Sequence, residues 1–160
     1  MYNEKYVNLM NKHRFFELFI FFLFSAPCLS AQNTDRADAI TGKWLTGEKN
    51  GIVLIFKYKE KYYGKLVWIK DSLNKHGNPV KDTKNPDPEK REQNIKGLIF
   101  MFNFTYDPEE DKWKDGRVYD PESGNTYSGY LKLQSKNVMD LRGYMGISLI
   151  GRTDTWTRVE

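Results

Sequence analysis

The most pointed chemistry in this sequence belongs to three arginines and two tryptophans. Arg142, Arg152 and Arg158 all fall in the closing stretch RGYMGISLIGRTDTWTRV, together with Trp156, while Trp44 stands far upstream in TGKWL. An arginine offers a planar fork of donors that grips a carboxylate or phosphate through two parallel hydrogen bonds. It can equally rest on an aromatic face as a cation–π pair. The first use would recognise an anionic ligand, and the second would hold a fold together. Arg142 and Arg152 are candidates for the first role, and Arg158, or alternatively Arg152, over Trp44 for the second.

Other reactive groups are sparse. The chain has two histidines and one cysteine, and zinc sites need three or four such ligands. His76 lies beside Gly77 in a polar run, which is a poor seat for a rigid general base and argues against a Ser–His–Asp device. Asp120, Asp140 and Asp154 could approach one another, and a glycosidase would want two carboxyls roughly 5–10 Å apart. Turn and ladder roles account for these aspartates as well. Asp82, Asn85 and Asp87 have a faint calcium-loop look, but the required glycine and twelfth-position glutamate are missing. The expectation is a protein that is not an enzyme, with no cofactor and no metal.

The N-terminus reads as a targeting segment. Lys5, Lys12 and Arg14 form a basic lead, and FFELFIFFLFSA (15–26) is apolar apart from Glu17 and Ser25. Such a stretch is too short to cross a bilayer, which takes about 20 residues, but it has the length of a signal-peptide core. Residues 1–31 are therefore expected to be a signal peptide, cut after Ala31 or alternatively after Ser30, and the product to be exported, periplasmic or secreted. Cys28 and His13 leave with that segment, and the remainder is one unit less positive than the +4 of the whole chain. An exported domain without disulfides rests on packing and a sheet ladder alone. Basic and acidic residues, 25 against 21, are scattered rather than blocked, which suits a solvated surface and not a nucleic-acid groove.

After a flexible lead at 32–39, the pattern is β throughout, in a single domain over 40–160. Runs rich in branched and aromatic residues at 40–45, 51–58, 61–69, 98–106, 112–120, 125–134, 138–145 and 151–159 are separated by turn-forming clusters such as DPEED and PESG. Short connections pair sequence neighbours antiparallel. Eight such strands predict an all-β, up-and-down antiparallel barrel, which removes exposed edges. By period two, Leu98, Phe100, Phe102, Phe104 and Tyr106 share one face. In the last strand Arg152, Asp154, Trp156 and Arg158 share the inward face. The polar segment 70–96, with Asn78-Pro79, Asn85-Pro86 and Asp87-Pro88, is expected as a long loop with a helical turn at 88–92 capped by Asp87.

In such a barrel Trp44, Phe56, Trp68, Phe102, Tyr127 and Trp156 are the candidate lining residues, with Arg142 or Arg152 meeting an anionic group. The functional expectation is an envelope protein that binds a small, partly apolar or anionic ligand. The alternative is an interaction module that acts on a protein or surface polymer through loop 70–96. No nucleic-acid partner and no membrane span in the mature chain are expected.

The Gly42-x-Trp44 start, paired with a terminal-strand arginine, resembles the lipocalin and fatty-acid-binding barrels, in which a first-strand tryptophan closes one end under a last-strand arginine. Longer stretches are more specific: ITGKWLT, GKLVWIKDSLN, DTKNPDP, YDPESGNTYSGYLKL and LRGYMGISLIGRTDTWTRV. Together, over about 40–160, they resemble domain-of-unknown-function family 2147, a family of exported bacterial proteins. That resemblance implies a calycin-like β-barrel and an envelope location, and implies no particular activity.

Overall fold

The structure is a computed structural model and describes residues 36–159. The expected signal segment 1–31, its cleavage site and residues 32–35 lie outside the described residues. Among the described residues, no helix is long and apolar enough to cross a membrane.

Eight strands follow one another: β1 (Gly42–Leu45), β2 (Gly51–Tyr58), β3 (Lys61–Ile69), β4 (Ile99–Asp107), β5 (Lys112–Asp120), β6 (Asn125–Ser135), β7 (Val138–Tyr144) and β8 (Gly151–Val159). Each pairs antiparallel with its sequence neighbour, and β8 returns to pair with β1, so the sheet is a closed barrel. The turn chemistry is local. Lys59 and Glu60 both take positive φ, 47° and 60°, in the two-residue β2–β3 hairpin, which is the twist that matches flanking strands. Asp107 and Asp120 each cap the turn that follows them by accepting backbone N–H groups two residues on.

Alternation sends Val53 and Ile55 of β2, Tyr62 and Leu66 of β3, Leu131 and Leu133 of β6, and Met139 and Leu141 of β7 into the core. The barrel lumen narrows around Phe104, whose ring lies against Gly116 of β5 and Gly129 of β6. These two glycines are cross-strand partners, and a Cβ on Gly116 would overlap the ring. A missing side chain here lets a large one cross the lumen.

Strand β4 departs from the expected period. Its pairing with β3 shifts on both sides of the Gly64–Met101 pair, and Asn103 sits at φ 62°. Phe100, Met101 and Phe104 are all buried, while Phe102 pairs with the exposed Arg117. Extra residues in a bulge change the facing of everything beyond them, so the single apolar face expected for 98–106 is split.

One end of the barrel is sealed. Residues 36–39, expected within a flexible lead, instead fold against it and run into a short 3-10 turn at Asp38–Ile40. Ile40 is fully buried. The Trp44 indole donates to the Ile40 carbonyl and the Trp113 indole to the Ala37 carbonyl, both at 2.8 Å. The Tyr62 hydroxyl donates to Asp38 at 2.5 Å, and Arg36 is ion-paired with Asp111. The segment orders because these donors would otherwise be buried without partners.

The long connection between β3 and β4 is also ordered. It folds on itself through the bridges Leu73–Pro79 and Lys81–Asn94. A 3-10 turn spans Pro88–Lys90, and the Asp87 side chain caps it by accepting from the Glu89 N–H at 3.1 Å. Asp82 is fully buried. It accepts from the Tyr119 hydroxyl at 2.7 Å and from the Asn85 amide at 2.6 Å, which ties the loop to β5. This use of Asp82 and Asn85 replaces the calcium-loop reading with a structural one.

Candidate functional site

The end opposite the seal carries the β1–β2, β3–β4, β5–β6 and β7–β8 connections, and a cavity of about 550 Å³ opens there. Its floor is apolar: Leu66, Phe100, Val118, Leu141 and Trp156. Val80 and Ile95 of the long loop contribute to the wall. The rim is polar, with Glu48, Asp71, Asp120, Glu122 and Asp154 around it and Arg152 as its one arginine. Phe104, fully buried against Gly116 and Gly129, is not part of the cavity lining.

Of the residues singled out in the sequence, Trp156 and Arg152 line the cavity. Trp156 is almost completely buried, and its indole donates to Asp154 at 2.6 Å. Arg152 is ion-paired with Glu48 at 2.8 Å. Tyr127 pairs with Val118 and so shares the inner face, half-buried, without forming part of the cavity wall. Trp44 is inside but at the sealed end, where the Arg158 guanidinium stands 4.2 Å from its ring centre. Arg158 also donates to the carbonyls of Thr41 at 2.7 Å, Ala39 at 2.6 Å and Lys136 at 2.9 Å. Burial lowers its pKa from the usual arginine value.

Four candidates are elsewhere. Phe56 alternates with the buried Val53 and Ile55 and stacks on Tyr63 outside the lumen, with ring centres 5.9 Å apart. Trp68, two residues on from the buried Leu66, would share its face by period two, but the β2–β3 register shift that skips Val67 turns it outward and leaves it exposed. Phe102 is turned from the lumen by the β4 bulge. Arg142 alternates with the buried Met139 and Leu141 and staples the β7–β8 turn, donating to Ser148 O at 2.8 Å, Leu149 O at 3.2 Å and Thr153 Oγ1 at 2.9 Å. It is therefore committed to the fold and not to a ligand.

The three aspartates weighed as a catalytic cluster do not assemble either. Asp140 is bonded to Gln134 and Thr155 outside the lumen, while Asp120 and Asp154 reach the rim. Among the described residues, no three His, Cys, Asp or Glu side chains group to hold a metal ion. Sequence reasoning missed Leu66, Val118 and Leu141, because it ranked candidates by ring size. The available signal was phase: each shares the inward register of its strand.

Two further tyrosines mark where polar groups meet the barrel. Burial first, and then Asp82, push the Tyr119 hydroxyl up to about 12. Burial and Asp38 raise Tyr62 in the same direction at the sealed end. Both act as anchors, and neither faces the open cavity.

No curated protein shows significant similarity to this chain. Among solved structures, protein HP1028 from the human pathogen Helicobacter pylori, described as belonging to the lipocalin family, matches with a TM-score of 0.66. The two are 23% identical, and the match covers 76% of this chain and 83% of that one. That likeness is one of fold: a lipocalin-like barrel. The family model described as an uncharacterized protein conserved in bacteria, DUF2147, matches residues 42–158, from the first strand into the last, and the chain belongs to that family.

Proposed function

We propose that this protein binds a small, partly apolar molecule in the open half of its barrel, outside the cytoplasm, and performs no chemistry on it. The observation that carries this reading is the asymmetry of the lumen. One end is filled by Trp44, Trp113, Tyr62 and Ile40, while the other keeps about 550 Å³ over an apolar floor. Ligand cavities span roughly 300–1,000 Å³ and are mostly apolar with a few placed polar groups. A barrel whose interior served only as core would be packed at both ends. The lipocalin-like fold is consistent with the reading.

The test uses the chain from Gln32 to Glu160 and N-phenyl-1-naphthylamine, an apolar dye that brightens out of water. Saturable uptake of one dye per barrel is expected, together with a retained small molecule in native mass spectrometry of freshly purified protein. Absence of both would remove the reading. Export is proposed from the 1–31 segment. N-terminal sequencing of protein from the cell envelope should begin at Gln32 or Ala31, and an intact Met1 confined to the cytoplasm would contradict it.

A second reading, contact with an envelope protein or surface polymer, draws on one observation. The β7–β8 turn exposes Met145, Ile147, Leu149 and Ile150, and the long loop exposes Leu73. Replacing Met145, Ile147 and Leu149 by serine should leave dye uptake intact and abolish any cross-linked complex in cells. An unchanged complex would discard this surface.

A further inference from the structure

We infer that the molecule held in the open half of the barrel carries a positive charge on an apolar body, as an alkylammonium or similar organic cation does. This rests on the binding reading above and names the class of ligand for that same cavity.

The argument begins with a reversal of sign. The chain as a whole is basic, at +4, yet this cavity is ringed by five carboxylates and a single guanidinium. That guanidinium, Arg152, is ion-paired through one nitrogen with Glu48 of the same rim, so its charge is offset by one of the five carboxylates. Arg142, the other arginine expected to meet an anion, is held by the β7–β8 turn outside the lumen. Lys84 approaches the rim, but its ammonium donates to the Glu122 backbone carbonyl at 2.5 Å.

The remaining carboxylates differ in what holds them. Asp154 accepts from the indole of Trp156, a floor residue. Asp120 accepts from the Glu122 N–H and the Ser123 hydroxyl. Asp71 and Glu122 have no ion-pair partner among the described residues. A cleft lined by one sign with low-dielectric walls focuses its field on whatever enters. An anionic amphiphile would bring its head group into that field, where carboxylates outnumber the nearby cations Arg152 and Lys84. A cationic one would lay its apolar body on Leu66, Val118 and Leu141 and its head among the carboxylates. The carboxylates are spread around the rim and no three converge on a metal site among the described residues, which fits an organic cation better than a bare ion.

The test is a matched series with one chain length: decylammonium, decanol and decanoate, each titrated as a competitor of bound N-phenyl-1-naphthylamine. The expected order is decylammonium tightest, at least tenfold tighter than decanoate, with decanol between. Raising the salt from low to high should narrow the gap, because the rim is partly in water. The double variant Asp71→Asn/Glu122→Gln alters two exposed side chains that make no hydrogen bond or ion pair among the described residues, so it should remain folded and lose most of the decylammonium advantage. Decanoate binding as tightly as decylammonium, or a double variant that keeps the full advantage, would overturn the charge assignment and leave the cavity reading standing. If none of the three displaces the dye and the dye itself does not bind, it is the cavity reading that fails.

Discussion

Arg158 and Trp44 are direct partners across the seam that closes the barrel: they are paired in register between β8 and β1, and the guanidinium sits 4.2 Å above the indole ring. The same guanidinium supplies donors to Thr41 and Ala39, so one side chain joins the last strand, the first strand and the 3-10 turn beneath them. Arg158→Ala is expected to cost about 2–4 kcal/mol, combining the cation–π contact with charged hydrogen bonds whose acceptors lose their donor. Arg158→Lys keeps the charge but not the fork, and should recover less than half of that loss. Urea unfolding of both variants measures it. An alanine variant as stable as the parent would mean that the seam does not depend on this residue.

Phe104 and Gly116 make the second prediction. A methyl at Gly116 would run into the ring, and the ring is walled in by Gly129 beyond it. Gly116→Ala should destabilise by about 1–3 kcal/mol through overpacking. Gly143→Ala is the control, since its added Cβ would meet only Tyr127 Cβ at 3.9 Å. Thermal melts of the two side by side should separate clearly, and equal melts would count against the packed-waist description.

Tyr119 predicts an alkaline limit. Its folded pKa, about 12, stands above the ordinary tyrosine value of about 10. A raised folded value means stabilisation that is whole below the ordinary value and is lost as pH rises from there through about 12. Tyr119→Phe should be less stable than the parent at neutral pH by about 1–3 kcal/mol, because Asp82 loses a buried donor. The gap between the two proteins should close as the pH passes 10 towards 12. Urea midpoints at a series of pH values check this, and a pH-independent gap would be the wrong result.

The cavity supplies its own reporter. Trp156 is the only tryptophan in its lining; Trp44 and Trp113 belong to the sealed end and Trp68 is exposed. Ligand entry should change the intrinsic fluorescence, and Trp156→Phe should abolish most of that change. Val118→Phe places added volume into open space and not into packed core, so it should weaken dye binding by roughly tenfold, about 1.4 kcal/mol, with the fold retained by circular dichroism. Undiminished binding in that variant would place the ligand elsewhere.

Much of this was legible from residue order. The eight strands fall close to where alternation and turn clusters put them, and Lys59-Glu60 and Asp115-Gly116 mark a hairpin and a bulge at the expected places. Trp44 and Arg158 were readable as a pair because strand count and closure bring the two ends of the chain together. The long polar loop was readable as a loop, but not its attachment, since nothing local says that Asp82 will be buried under Tyr119.

The lining was legible only in part. Phe56 and Tyr63 stack on the outer surface, so aromatic content does not separate the two faces of this sheet. Phe102 was misplaced by a bulge that exists because β3 and β4 shift register around Gly64 and Met101. The rim carboxylates lie in turns or at strand ends, where an acidic residue is ordinary, and only folding shows that Glu48, Asp71, Asp120, Glu122 and Asp154 surround one opening.

By itself, then, the order of residues determined the strand count, the antiparallel sequence of pairings and the seam, because period-two alternation and turn chemistry act over a few neighbours. Which rings face inward at a bulged strand, which end is sealed and what charge surrounds the other were decided only by tertiary structure. Those outcomes depend on how side chains from strands distant in sequence share one enclosed volume, and no local pattern encodes that sum.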